Sequence, residues 1–284
     1  MTPQSDDIQA SLRELLHFLA DAGADEALDE IAADRFVAPP ARQTARTGEQ
    51  PTAGAGLQRR QPASPAMASS DTSQRGDVAV PDEAQAARAR ELARNAATLE
   101  ELREILAAFD GCNLKSTAKN LVFADGNPEA PLMLVGEAPG RDEDLEGLPF
   151  VGRSGQLLDR MLAAIGRDRT SAYIANVIPW RPPGNRTPTP QETEICRPFI
   201  ERMIELVNPK VLVNLGGPSA KTLLNTTEGI LRLRGNWRVH TTTSGISIPA
   251  MPTLHPAYLL RNTAHKKLAW RDFLEVKAKL RSLD

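Results

Sequence analysis

Four short apolar runs constrain this chain most. PLMLVG (131–136), AYIANVIPW (172–180), KVLVNLG (210–216) and a run ending at Thr253 follow one another with helical patterns between them. Apolar runs of this length, bounded by turn residues, read as strands buried on both faces. The intervening SGQLLDRMLAAIG (154–166), closed by Gly166, TPQETEICRPFIERMIELV (189–207), with Pro190 in its first turn, and GPSAKTLLN (217–225) have helical spacing. So do LEELREILAAF (99–109) before them and HKKLAWRDFLEVKAKL (265–280) after them. Strands alternating with helices predict an α/β fold with a mostly parallel sheet covered on both sides. Right-handed crossovers then bring the carboxyl ends of the strands to one edge, where open sheets of this kind bind ligands.

The rest of the chain is differently built. IQASLRELLHFLADAG places Ile8, Leu12, Leu15, Leu16 and Leu19 at helical spacing after Ser5 as N-cap, so residues 1–33 are expected to carry one amphipathic helix. Residues 34–86 are mostly Pro, Ala, Gln, Ser, Thr and Gly. They bury too little to offset chain entropy and are expected to be a disordered linker, with the folded domain spanning 87–284. Residues 1–86 hold 14 acidic and 7 basic side chains, which leaves 22 acidic and 27 basic in the domain. A mildly basic domain behind an acidic tail suits a nucleic-acid partner. No run of 18 apolar residues and no leader-type N-terminus occurs, so a cytoplasmic protein without membrane contact is expected; nucleoid association and a monomeric state are further expectations. Cys112 and Cys196, 84 positions apart, offer no metal-site spacing.

Three polar turns follow the strands. In GEAPGRDEDLEGLPF, Gly136 and Gly140 allow close backbone approach, Ala138 lies between them, and Glu137 stands at the strand end. The turn lacks the Lys-Ser/Thr and GxGxxG signatures of a phosphate cradle, and its neighbouring acids would repel phosphate. Asp142, Glu143, Asp144 and Glu146 read as loop scaffold and N-cap partners. Phe150 leaves two readings open, core packing or a platform for a stacked base. Asn176 is either a turn cap or an amide matched to the O4 and N3–H edge of uracil. His255 is either structural or catalytic, and neither His240 nor His265 stands at a spacing that suggests metal. Leu259 and Leu260 are either core residues of a helix start or a wedge entering a base stack, with Arg261 beside a phosphate.

GEAPGRDEDLEGLPFVGRSGQLLDRML, NVIPWRPPGNRTPTP and HPAYLLR, in that order and spacing, resemble the uracil-DNA glycosylase superfamily and most closely its family 4. The resemblance runs from about Leu99 to Leu280. It implies an α/β/α sandwich around a four-stranded parallel sheet, and monofunctional hydrolysis of the N-glycosidic bond of a flipped-out deoxyuridine, initiating base-excision repair. The implied partner is uracil-containing DNA, double- or single-stranded. By motif position, Glu137 would position or polarise the attacking water, Phe150 would stack on uracil and Asn176 would read its edge. His255 would bond the O2 of the departing base. Leu259 or Leu260 would fill the vacated stack, and Arg181, Arg186 and Arg261 would lie near the DNA backbone.

Two departures accompany the resemblance. Family 4 members carry four cysteines for a four-iron four-sulfur cluster. The corresponding positions here read Phe109, Cys112, Trp180 and Cys196, so the cluster is expected to be absent and its space filled by the two aromatic rings. In the best-known uracil glycosylases a water-activating Asp follows the Glu137 position and a thymine-blocking Tyr stands two further on; here these are Ala138 and Gly140. The GNRTPTP loop lacks the His-containing insertion of a covalently trapped relative, so turnover is expected. A broader glycosylase for hypoxanthine or xanthine, and a non-catalytic binder of uracil or abasic DNA, remain as alternatives.

Overall fold

A computed structural model describes residues 82–283. The expected N-terminal helix and residues 34–81 of the expected linker lie outside the described residues. The first helix, α1 (Asp82–Asn95), begins inside the stretch expected to be linker. Its apolar signal is carried by alanine: Ala86, Ala89 and Ala93, with Ala96 after it, are buried against the rest of the domain. Small side chains packed closely leave little trace in a hydrophobic pattern.

Next come α2 (Leu99–Ala108), capped by Thr98, the short α3 (Leu114–Thr117), and the three-residue strand β1 (Ala124–Gly126). Strand β2 (Leu132–Gly136) leads into α4 (Arg141–Glu146), the segment expected to be an acidic loop. Carboxylates in a first helical turn are favoured by the peptide dipoles, so RDEDLE forms a turn of helix. Then follow α5 (Arg153–Ala164), β3 (Tyr173–Asn176), α6 (Pro190–Val207), β4 (Val211–Leu215), α7 (Gly217–Leu223) and α8 (Ile230–Leu233). The chain closes with β5 (Arg238–Thr241), β6 (Ser247–Thr253), α9 (Pro256–Arg261) and α10 (Lys266–Arg281).

The sheet order is β1-β3-β2-β4-β6-β5. The inner four strands pair in parallel, as expected, and two antiparallel edge strands enlarge the sheet to six. The edges escape a pattern reading because β1 has three residues and β5 exposes three of its four. Strand β3 also ends at Asn176 rather than 180. Val177 and Ile178 instead donate backbone N–H bonds to the carbonyls of Gly136 and Glu137, both at 3.0 Å, carrying the β2–β3 pairing past the strand ends.

Side chains alternate across the sheet. Met133, Val135, Ala175, Leu212 and Ala250 face one layer, which includes Leu102 and Leu106 of α2 and Phe199 and Ile200 of α6. Leu132, Leu134, Ile174, Val213 and Met251 face the other, with Leu158 and Leu162 of α5 and Phe273 and Val276 of α10. This is a three-layer α/β/α sandwich. Among the described residues, no helix is long and apolar enough to cross a membrane.

Candidate active site

A cavity of about 370 Å³ opens at the carboxyl ends of the inner strands. It brings together Glu137, Ala138, Gly140, Phe150, Asn176, Arg186, His255 and Arg261, which the sequence reading had singled out, with Ser154, Pro182, Asn185, Thr187 and Tyr258, which it had not.

Gly136 lies at the floor of this arrangement. A Cβ built there would sit 2.4 Å from Asn176 Oδ1 and 2.6 Å from Phe150 Cζ, so only glycine lets the amide and the ring approach together. Asn176 is buried, and its Oδ1 has no hydrogen-bond partner in the structure. A buried acceptor without a donor costs about 1–3 kcal/mol, which a ligand N–H would recover.

Phe150 sits at φ +55, a left-handed conformation costing a non-glycine residue about 1–3 kcal/mol. Arg169 holds it there, donating to the Phe150 carbonyl and, at 3.1 Å, to that of Pro149. Arg169 is itself fixed by Asp125 at 2.5 Å and Asp159 at 2.9 Å. Gly155 makes room for the Phe150 carbonyl, since a Cβ there would lie 1.7 Å from its oxygen. The Phe150 ring lies against His255, centroids 5.5 Å apart and planes at 28°.

The acidic helix α4 has separated roles. Glu143 is buried and accepts three backbone N–H bonds, from Gly140, Val151 and Gly152, each at 3.1 Å. It therefore staples the turn after Glu137 to the loop after Phe150. Asp144, also buried, accepts from the Lys119 and Asn120 amides at 2.8 and 3.2 Å. Asp142 and Glu146 are exposed.

His255 caps α9: its Nδ1 accepts the backbone N–H of Ala257 at 3.1 Å. Nδ1 is therefore unprotonated, and a neutral ring carries its proton on Nε2. Burial, and secondarily the charge of Arg261, push the imidazole down to about 4, so the ring is neutral at pH 7. Gly216, at φ +94, packs beneath it, with its Cβ position 3.0 Å from His255 Cβ. Glu137 is half-buried, and desolvation raises its carboxyl above the ordinary 4.5.

The expected DNA-contacting residues divide. Leu259 is 1 % exposed and packed with Leu254 and Ala269, so it is unavailable as a wedge, whereas Leu260 is half-buried. Arg186 is exposed at the cavity and makes a bidentate pair with buried Glu192, at 2.6 and 2.8 Å. Arg181 donates to Asn185 at 2.7 Å, and Arg261 is exposed at the cavity rim.

The four positions expected to correspond to the family's cluster cysteines are all buried. Phe109 and Trp180 are 1 % and 2 % exposed, and Phe109 packs on Phe199 with ring centroids 5.1 Å apart. The Phe109 ring fills the hollow of its own loop, lying 2.3 Å from where a Gly111 Cβ would be. Cys112 and Cys196, both buried, bring their Sγ atoms to 3.8 Å. Two thiols among apolar rings do not fit a four-cysteine cluster. Among the described residues, no group of three or more His, Cys, Asp or Glu side chains could hold a metal.

Comparison with known proteins agrees with this geometry. The profile of the Uracil DNA glycosylase superfamily matches residues 123–274. The type-4 uracil-DNA glycosylase of Thermotoga maritima is 40% identical over 177 residues, covering 60% of this chain and 88% of that protein. Those of Sulfurisphaera tokodaii and Saccharolobus solfataricus are 36% and 38% identical, covering 63% and 60% of this chain and 84% and 81% of their own lengths. The match spans both walls of the cavity and the strands between them, and the chain belongs to the uracil DNA glycosylase superfamily.

Proposed function

We propose that this protein is a monofunctional uracil-DNA glycosylase that hydrolyses the N-glycosidic bond of a flipped-out deoxyuridine and so initiates base-excision repair. One observation carries the reading: a buried amide oxygen without a partner, a neutral imidazole donor and a half-buried carboxylate converge on a single cavity. The related proteins, named type-4 uracil-DNA glycosylases, support it.

In this mechanism Asn176 reads the N3–H and O4 edge, against which cytosine presents an amine. Phe150, locked by Arg169, supplies the surface on which the base rests. As the glycosidic bond lengthens, negative charge grows on uracil and positive charge on the sugar. His255 donates Nε2–H to O2, stabilising the first without transferring a proton. Glu137 orients water at the sugar and, with the DNA phosphates, stabilises the second; Ala138 supplies no carboxylate beside it. Water activation thus rests on Glu137 and on positioning. Leu260 fills the vacated stack, and Arg261 faces the DNA backbone. The reaction is expected to proceed without a resident iron-sulfur cluster, because the four expected positions offer two thiols, Cys112 and Cys196, and two buried rings, Phe109 and Trp180. Purified protein is expected to show no broad iron-sulfur absorption band; such a band at stoichiometric iron would contradict this.

Glu137 acts as a carboxylate, and its folded value is raised. Activity is therefore expected to fall as pH drops through a single ionisation above 4.5, with no second step near 6.5, because His255 stays neutral down to about 4. A pH–rate profile of single-turnover uracil release checks this, and an acid limb centred at 6.5 would assign it to the histidine instead. Leu260→Ala is expected to slow cleavage of duplex uracil about tenfold through loss of the wedge, while Leu259→Ala acts by lowering stability about 2–5 kcal/mol. Duplex rates and urea midpoints for the two variants separate these effects.

The reading is tested with oligonucleotides carrying uracil, thymine, hypoxanthine or xanthine. Uracil is expected to be released at least about a hundredfold faster than the others. Comparable release of hypoxanthine or xanthine would make the protein a general deaminated-base glycosylase. Binding of uracil DNA without release would make it a non-catalytic binder.

A further inference from the structure

We infer that Tyr258 and His265 form a positioning pair that sets the wedge helix α9 for duplex DNA and is dispensable in single strands. This rests on the glycosylase reading of the cavity. Helix α9 has six residues, Pro256–Arg261, too few to be stable by itself, so its attitude comes from tertiary attachments.

Among the described residues α9 packs on α5, through the cluster that joins Leu259 to Leu157 and Met161, and three attachments set its attitude. At its start, His255 Nδ1 accepts the Ala257 amide. On its inner face, Leu259 packs with Leu254 and Ala269. The third is the Tyr258 hydroxyl, 2.7 Å from His265 Nδ1, with the two rings stacked at 5.6 Å and 29°. His265 ends the turn Thr263–His265, which closes with its N–H on the Asn262 carbonyl at 3.0 Å and runs directly into the 16-residue α10.

The first two attachments fix where α9 begins and which face it buries. Neither of them is a polar tie between α9 and another element. Tyr258 lines the cavity, so its bond to His265 ties that side of α9 to the start of a long helix and fixes its orientation there. Leu260 and Arg261 follow Tyr258 immediately and inherit its orientation. In a duplex, extruding a base costs a few kcal/mol of unstacking and unpairing, and a wedge held in place offsets that cost. A single strand has no partner base and little stack to fill, so cleavage there depends on the cavity alone.

The test uses the full chain, with uracil in a single-stranded oligonucleotide and opposite adenine in a duplex. His265→Leu is expected to lower the single-turnover duplex rate about tenfold, the worth of one hydrogen bond, and to leave the single-strand rate within about twofold. His265→Asn, whose Oδ1 can accept the Tyr258 hydroxyl, is expected to recover the duplex rate to within about threefold of wild type. Adding Tyr258→Phe to His265→Leu should not change the duplex-to-single-strand ratio further, as for two halves of one interaction. The inference is overturned if both rates fall together, if neither moves, or if His265→Asn behaves like His265→Leu. Absence of release by the wild type from single strands alone would overturn this inference, and absence from both substrates would overturn the glycosylase reading with it.

Discussion

Replacing His255 with alanine is expected to slow single-turnover uracil release about a hundred- to a thousandfold, the usual worth of one donor aimed at developing charge. The imidazole is neutral because it is desolvated and lies beside Arg261, and its Nδ1 is occupied by the Ala257 amide. Nε2–H is the ring's remaining donor. His255→Gln, which retains an N–H donor, is expected to recover part of the loss, whereas a general acid would not be replaced by an amide. The alanine variant also removes the side-chain cap of a six-residue helix, worth about 1 kcal/mol. Measuring the single-strand rate beside the duplex rate isolates the chemical contribution. A loss below about tenfold on single strands would remove His255 from the reaction.

The second large effect is on stability. Asp272 is 1 % exposed; it accepts from Thr253 Oγ1 at 2.6 Å, from Arg234 Nε at 2.9 Å and from Arg234 Nη2. Arg234 is otherwise bonded to the Leu268 carbonyl at 2.9 Å, and its side chain is 14% exposed. Truncation to Asp272→Ala strands a mostly buried guanidinium and an unpaired hydroxyl. The expected cost is about 3–5 kcal/mol, or a Tm lower by about 10 °C for a domain of this size. Urea unfolding should show the midpoint falling with the slope m unchanged. Thr253 ends β6 two residues before His255, so the folded fraction should also turn over more slowly. A midpoint shift equivalent to less than about 1 kcal/mol would mean that the network contributes little.

What could be read from the sequence follows from what each feature depends on. The inner strands and long helices were legible because apolar periodicity reports burial of a whole face, as in LMLVG and in the helix ending at Val207. That Glu137, Asn176 and His255 share one cavity was legible because a parallel sheet must gather its strand ends. The rest depends on contacts between distant residues. Arg169 gives no local sign that it holds Phe150, and its partner Asp125 is 44 positions away. Glu143 and Asp142 are indistinguishable in RDEDLE until the helix turns one inward and the other out. Leu259 and Leu260 are likewise equivalent in HPAYLLR until α9 buries the first. Helix α1 overlaps the expected linker because its buried face is made of alanine, which packs well while signalling weakly.

The most direct measurement is uracil release from a single-stranded uracil oligonucleotide under single-turnover conditions, comparing the wild type with Glu137→Ala and with Glu137→Ala/His255→Ala. The cavity chemistry predicts release by the wild type, a loss of at least about a hundredfold in the single variant, and a further loss in the double variant. Release by the double variant at the wild-type rate would place the reaction on other residues, and no release by the wild type from this strand or from a uracil duplex would contradict the glycosylase reading.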